Sequence, residues 1–150
     1  MGQAHLLKRK GFTLVEIMIV VVLITLIATI AIPSLVRSRH NANETAAIGS
    51  MHTLMTAMQS FHTSQTPTTY PADLAALHAE VPQYIDSVLA TGSKQGYNFT
   101  YALVSSNEFT LTATPISAHL TGTRSFFIDQ TGVLRVAPSG TADGSSPPLD

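Results

Sequence analysis

The stretch KRKGFTLVEIMIVVV, residues 8–22, decides how this chain folds. Three consecutive cations precede Gly11, and the apolar run that follows contains one acidic residue, Glu16. Residues 17–32 carry no charge, and Thr25 and Thr29 are their only polar side chains. An ionised carboxylate is unstable in apolar surroundings unless water or a cation is near it. The role of Glu16 therefore has to be explained.

The apolar run has three interpretations. A secretory signal peptide would be shorter and would end in an A-x-A-like site, which is missing before Pro33 and the polar residues 38–40. A helix buried on all sides is rare in one domain of this size. Residues 14–32 span about 28 Å as a helix, close to the thickness of a bilayer's hydrocarbon core. We therefore predict a membrane helix, with the preceding cations keeping the N-terminus in the cytoplasm.

Glu16 has two explanations in this setting. It lies near the cytoplasmic end of the predicted span, where partial solvation would accommodate it. Alternatively, proteolysis after Gly11 would create a new α-amine on Phe12, about one helical turn from Glu16. This amine could pair with Glu16 of its own chain or of a neighbouring chain.

The segment KGFTLVEIMIVVVLITLIATIAIP, residues 10–33, resembles the N-terminus of type IV pilins and of the pseudopilins of type II secretion. The resemblance implies that a prepilin peptidase cleaves after Gly11 and methylates the new first residue, Phe12. It also implies that Glu16 is a docking charge for assembly. Pro33 matches the family's helix proline, which favours a kink.

The same resemblance implies partners and locations. The precursor would be a single-pass protein of the bacterial inner membrane, with its N-terminus in the cytoplasm. Copies of the chain would polymerise into a helical filament, extracellular or periplasmic, driven by an assembly ATPase and a platform protein. No cofactor is implied.

The residues after the apolar run predict a small α+β head. Apolar residues at steps of three and four continue the helix to about His62, with one apolar and one polar face. Residues 70–77 predict a short second helix, and residues 82–96 predict a connecting loop with some helical turns. After Gly96 the apolar period changes to two, which predicts three to four antiparallel strands packed on the helix.

The predicted fold class is therefore α+β. A long N-terminal helix, with a transmembrane or filament-core half and an amphipathic half, packs on a small antiparallel sheet, as in the pilin fold. Five segments are expected: a leader, residues 1–11; the transmembrane and filament-core helix, 12–33; the amphipathic half, 34–62; a globular head, 63–137; and a mobile tail rich in Gly, Ser and Pro, 138–150.

Composition argues against several classes of function. The chain has no cysteine, which excludes disulfides, thiol catalysis and cysteine-based zinc sites. Without residues 1–11, five cations would face nine acids, a poor basis for binding nucleic acid. No nucleotide-binding, serine-hydrolase or zinc-protease motif is present, and no two histidines have the spacing of a helical metal pair. We expect neither catalysis nor a metal site.

Three weaker patterns have ordinary structural explanations. The sequence DQTG, residues 129–132, could suggest a calcium loop, but Asp and Gly favour a hairpin turn and calcium needs more oxygen ligands. Tyr97, Phe99 and Tyr101 could stack on single-stranded nucleic acid, but they alternate along one strand and are better explained as core. The tripeptide at Asn98, NFT, matches an N-glycosylation acceptor, but it is common and lies in a predicted strand.

The sequence thus predicts a structural subunit of a type IV pilus-like filament. A pseudopilin of a type II secretion pseudopilus is the alternative. Neither subtype is favoured strongly, because the chain lacks both the C-terminal disulfide loop of many pilins and an obvious acidic calcium loop. A DNA-uptake adhesin is a weaker hypothesis, since it needs a basic cluster and the cations of the head are scattered in sequence: Arg37, Arg39, Lys94, Arg124 and Arg135.

Overall fold

The computed structural model describes residues 11–149. It divides after Val36 into two units, and one helix, α1, Leu14–Ser64, contributes residues to both. The prediction of a single long helix over about residues 12–62 is confirmed to within two residues at each end. Residues 1–10 of the predicted leader lie outside the described residues.

Two short helices and five strands follow α1 in the described part of the chain. Helix α2 spans Leu74–Ala79, and helix α3 spans Ser87–Ala90. The strands are β1, Ser93–Lys94; β2, Tyr97–Ser105; β3, Glu108–Pro115; β4, Ser125–Asp129; and β5, Arg135–Ala137.

The strands form one antiparallel sheet in the order β1-β2-β3-β4-β5, so each strand pairs with its neighbour in sequence. The predicted meander is confirmed, but the predicted number of strands, three to four, was too low. The additional strand is β1, which pairs Ser93 with Asn98 and Lys94 with Tyr97. Two residues are too few to show a period, and they fall in the stretch predicted as a connecting loop.

The core of the head lies between α1 and the sheet. Met51, Leu54 and Met58 of α1 are fully buried, and they share one hydrophobic cluster with aromatic and aliphatic residues of β2, β3 and β4. The predicted apolar stripe of the helix is confirmed as core. The residues that the sheet contributes to the same cluster are Tyr97, Phe99, Phe109, Leu111, Ala113, Phe126 and Ile128.

Side-chain caps fix the short helices that connect α1 to the sheet. Asp73 accepts a hydrogen bond from the Ala76 amide at 2.8 Å, and Asp86 accepts one from the Leu89 amide at 2.7 Å. Both are N-cap bonds, which satisfy amides that have no partner inside the helix. Asp86 also forms an ion pair of 2.9 Å with Lys94, so it links α3 to β1.

The C-terminal tail contacts the last two strands. Ala142 is buried against Phe127 and Ala137, on the face of the sheet opposite the main core. The Val136 amide donates to the carbonyl of Pro147 at 2.9 Å. These contacts define positions for parts of the tail, while its mobility and the other segment boundaries stay predictions.

Candidate functional site

The residues predicted for cleavage, methylation and docking lie at or just before the N-terminal end of α1. Gly11 and Phe12 precede the helix, whose first residue is Leu14. Thr13 caps it, because its hydroxyl oxygen accepts a hydrogen bond from the Glu16 amide at 3.2 Å. Among residues 11–149, no atom lies within 4 Å of the position that a Cβ on Gly11 would occupy, and Phe12 is 79% exposed. The peptide bond between Gly11 and Phe12 is therefore in accessible, non-helical chain.

Glu16 lies in the first turn of α1, and its side chain is exposed. The helix dipole places partial positive charge at this end, which stabilises an exposed acid by about 0.3–1 kcal/mol. Within residues 11–149 the ion pairs are Lys94–Asp86 and Arg124–Glu44, and neither includes Glu16. This part of the chain thus offers Glu16 a dipole but no side-chain cation.

Apolar side chains cover residues 14–36 on every side of the helix. Their exposure reaches 76% at Leu14, and no residue from 11 to 36 is buried. By length and composition, α1 contains a segment that could cross a membrane. This apolar segment fits a membrane-anchored precursor, because the described chain does not cover it.

The two threonines of the apolar segment bond to their own helix. The Thr25 hydroxyl lies 3.0 Å and 2.8 Å from the carbonyl oxygens of Val21 and Val22, and the Thr29 hydroxyl donates to the Thr25 carbonyl at 2.8 Å. These bonds satisfy the hydroxyls internally, as hydrocarbon surroundings require. Pro33 lies inside α1 and has no N–H for the carbonyl four residues before it. The kink at Pro33 stays a prediction.

Comparisons with known proteins also identify a motif in the N-terminal region. Residues 6–32 match the family described as the prokaryotic N-terminal methylation motif. The type IV major pilin protein PilA of Myxococcus xanthus (strain DK1622) is 39% identical over 54 residues. The chain is thus similar to type IV pilins in part of its length and contains the N-terminal methylation motif. The match with PilA covers 36% of this chain and 24% of PilA, and no solved structure matches.

The methylation-motif match includes Gly11, Phe12 and Glu16 and ends one residue before Pro33. It supports a signal of the kind that a prepilin peptidase processes. The individual roles of these residues are not tested by the comparisons. Cleavage after Gly11, methylation of Phe12 and docking through Glu16 stay predictions.

The head of this pilin-like chain contains a buried ion pair that the sequence pattern did not reveal. Glu44 is only 4% exposed. Its Oε1 accepts hydrogen bonds from the amides of Thr123 and Arg124 at 3.0 and 3.2 Å and from the Thr123 hydroxyl at 3.2 Å. Its Oε2 accepts one from Arg124 Nε at 2.7 Å. One carboxylate thus fastens α1 to the β3–β4 loop, residues 116–124.

Neighbouring contacts strengthen this attachment. Asn43 Nδ2 donates to the Thr121 carbonyl at 2.9 Å. Burial alone would raise the pKa of Glu44, but the hydrogen bonds from Thr123 and Arg124, together with the charge of Arg124, lower the pKa below its usual value of 4.5. Glu44 is therefore ionised at neutral pH and holds the loop as a charged acceptor.

A signal for Glu44 was present in the sequence. It lies three residues before Ala47 and four before Ile48, so it extends the apolar stripe of α1 by one step. A carboxylate at such a position needs a partner. The sequence does not show which cation is the partner of Glu44, because Arg124 is 80 residues away.

Tyr97 packs closely against Gly122 of the same loop. Tyr97 is fully buried, and its hydroxyl donates to the Arg124 carbonyl at 2.8 Å. Burial, with a smaller effect of the Glu44 charge, raises the pKa of Tyr97 to about 12. A Cβ on Gly122 would lie 2.2 Å from the Tyr97 hydroxyl oxygen, so this position has no room for a side chain. The aromatic residue that the sequence assigned to the core thus also supports the loop.

The structure also tests the weaker patterns. Asp129 accepts a hydrogen bond from the Thr131 amide at 2.9 Å and Gly132 has φ +76°, which confirms the turn at residues 129–132. Tyr97 and Phe99 are buried, which confirms the core interpretation for both. Tyr101 is half-buried, and its hydroxyl donates to the Pro71 carbonyl at 2.6 Å. Within residues 11–149 no group of three or more His, Cys, Asp or Glu could hold a metal ion.

Proposed function

We propose that this chain is a structural subunit of a type IV pilus-like filament, cleaved after Gly11 and methylated at Phe12. The observation that carries the proposal is the apolar segment, residues 14–36, which is exposed on every side and overlaps the match to the N-terminal methylation motif, residues 6–32. Such a helix needs lipid around it before assembly and other apolar helices around it afterwards.

Glu16 supplies the specificity of assembly in this proposal. Cleavage exposes a positively charged amine on Phe12, and the amine of an incoming subunit pairs with Glu16 of a subunit that is already in place. In apolar surroundings an unpaired carboxylate is strongly unfavourable, so the pair forms only when the two helices are in the correct register. The family signal supports prepilin peptidase as the processing enzyme, and an assembly ATPase with a platform protein would extract the subunit from the inner membrane.

The replacement Glu16→Ala tests the docking role. We expect the Glu16→Ala chain to reach the membrane normally, because losing a charge does not impair insertion, but to assemble poorly. Glu108→Ala is the matched control, since Glu108 is also exposed but lies in the head. Membrane fractionation and the yield of sheared filaments would be measured for both. Normal filament yield from Glu16→Ala would overturn the docking role.

A pseudopilin is the alternative within the same family. The name of the similar protein, a major pilin, favours the pilus, but that match covers 24% of its length. Subunit-specific immunogold labelling of shed filaments separates the two functions. Labelled surface filaments would support the pilus, and a subunit confined to the periplasm, with loss of protein secretion on its deletion, would support the pseudopilus.

A DNA-uptake adhesin is disfavoured by the contacts of the cations. Lys94 pairs with Asp86, Arg124 pairs with Glu44, and Arg135 donates to the Ser146 carbonyl at 2.9 Å. Phosphate recognition needs several cations that are available on one surface. Three of the five cations in residues 11–149 are thus already engaged within the head.

A further inference from the structure

Two acceptor tripeptides for N-glycosylation occur in the chain. One is Asn43-Glu44-Thr45 in α1, and the other is Asn98-Phe99-Thr100 in β2. The pattern is common, so its presence alone does not identify a modified asparagine. The two asparagines differ, however, in exposure, hydrogen bonding and the space around them.

Asn98 is accessible from outside the sheet. Its neighbours Tyr97 and Phe99 are buried in the core, and Asn98 and Thr100 are exposed. Because alternate residues of a strand share a face, the Asn98 amide and the Thr100 hydroxyl both lie on the outer face. Neither side chain makes a hydrogen bond to residues 11–149. A group attached to Asn98 therefore displaces no interaction within this part of the chain.

The surroundings of Asn98 are small and uncharged. Across the sheet, Asn98 pairs with Ser93 of β1 and Thr114 of β3, and Thr100 pairs with Thr112. The tail contacts the outer face at Phe127 and Ala137, which belong to β4 and β5. The outer face at β2 can thus accommodate a bulky polar substituent.

Asn43 is placed very differently. It is half-buried, and its Nδ2 donates to the Thr121 carbonyl at 2.9 Å. A Cβ on Gly96 would lie 3.2 Å from the same Nδ2. The Thr45 hydroxyl is also engaged, since it donates to the Asn41 carbonyl at 2.8 Å. A sugar on Asn43 would prevent the β3–β4 loop from docking on α1.

We propose that Asn98 is the attachment site of an N-linked oligosaccharide and that Asn43 is not. The proposal rests on the proposed function in one respect, that the head is exported across the membrane. The donor class is an oligosaccharide carried on polyprenyl diphosphate, and an oligosaccharyltransferase catalyses the transfer. The Asn98 Nδ2 forms a bond to the anomeric carbon, the bond from that carbon to the diphosphate oxygen breaks, the amide loses one proton, and polyprenyl diphosphate leaves.

The pairing of β2 on both edges sets the order of events. A strand hydrogen-bonded to β1 and β3 cannot enter the active site of a transferase, so the transfer precedes closure of the sheet. Folding then tolerates a modified Asn98 and excludes a modified Asn43. The mature head would carry its glycan on the face opposite the main core.

Peptide mass spectrometry of the full-length subunit, purified from membranes and filaments of its native host, tests the proposal. Trypsin separates the two sites, because cleavage after Arg39, Lys94 and Arg124 places Asn43 in the peptide 40–94 and Asn98 in the peptide 95–124. We expect an oligosaccharide mass on the second peptide and none on the first. An unmodified Asn98, or a glycan on Asn43, would overturn the proposal.

Two substitutions at Thr100 provide a matched control. Thr100→Val keeps the shape of the side chain but removes the hydroxyl, and we expect it to abolish the added mass, as Asn98→Gln does. Thr100→Ser keeps the hydroxyl and should retain the modification. Retention of the mass in Thr100→Val would contradict the assignment. Filaments that form normally without a glycan would refute this inference alone, whereas glycosylated subunits that never polymerise would refute the filament alone.

Discussion

Helix α1 carries two glutamates in opposite situations. Glu16 is exposed at the first turn of an apolar segment in which no residue is buried. Glu44 is 4% exposed on a stretch that buries a full stripe of residues, and it accepts four hydrogen bonds from the β3–β4 loop. Glu44 thus has its partners within its own fold, whereas no cation within residues 11–149 pairs with Glu16.

The comparison separates two sources of stability. Residues 37–64 of α1 bury their apolar face against the sheet, so the head needs no other molecule to form its core. Residues 14–36 obtain no such burial from the described chain, and their stability depends on lipid or on other subunits. Substitutions in the two regions should therefore change different measurements.

The largest difference is expected between Leu54→Ala and Leu23→Ala. Leu54 is fully buried, and its truncation should lower the free energy of unfolding of the head by about 2–5 kcal/mol. Leu23 is 52% exposed, and its truncation should leave the head unchanged. Urea unfolding of the full chain in detergent micelles, followed by tyrosine circular dichroism, reports on the head, because all four tyrosines lie in residues 70–101. Equal losses of unfolding free energy for the two variants would refute the separation between the head and the apolar segment, residues 14–36.

Replacement of the two glutamates should change the stability of the head by amounts that differ nearly as much. Glu44→Ala leaves the amides of Thr123 and Arg124 without their acceptor, which should cost about 2–3 kcal/mol of head stability in the same unfolding measurement. Glu16→Ala should have no effect on that measurement and should reduce filament yield. A normal unfolding midpoint for Glu44→Ala would show that the ion pair does not hold the loop.

Acid should weaken the head through Glu44. Its pKa is lowered in the folded state, so its contribution is fully present above the unfolded-state value of about 4.5 and is lost as pH falls through the folded-state pKa. We expect the urea concentration at the unfolding midpoint of the wild type to decrease as the pH is lowered below about 4.5. Glu44→Gln should reduce this fall, because glutamine does not titrate. An identical pH dependence in the two proteins would contradict the assignment.

The smallest effect is expected at the exposed ion pair of the head. Lys94 and Asp86 have side chains that are 29% and 51% exposed, so Lys94→Met should cost no more than about 1 kcal/mol. The loss should shrink further at high salt, which screens exposed charges. A loss as large as that of Glu44→Ala would mean that burial is not what distinguishes the two pairs.

The features that could be predicted are those with a local sequence pattern, and contacts between residues distant in sequence could not be predicted. The predicted cleavage motif and the uncharged run lie within residues 10–33, and the strands of the sheet were recognised because their alternation is repeated over several residues. Strand β1 was missed because two residues show no period. The partner of Glu44 was missed because it is distant in sequence, and no local pattern links it to Arg124. The tail contacts at Ala142 also depend on the completed sheet, which a Gly- and Ser-rich sequence does not reveal.

The most direct test of the account is the N-terminal mass of subunits taken from assembled polymers. The account predicts a chain that begins at Phe12 and carries a methyl group on its amine, because only this amine can pair with Glu16 of another subunit. Polymers built from chains that still begin at Met1, with no trimmed species, would contradict it.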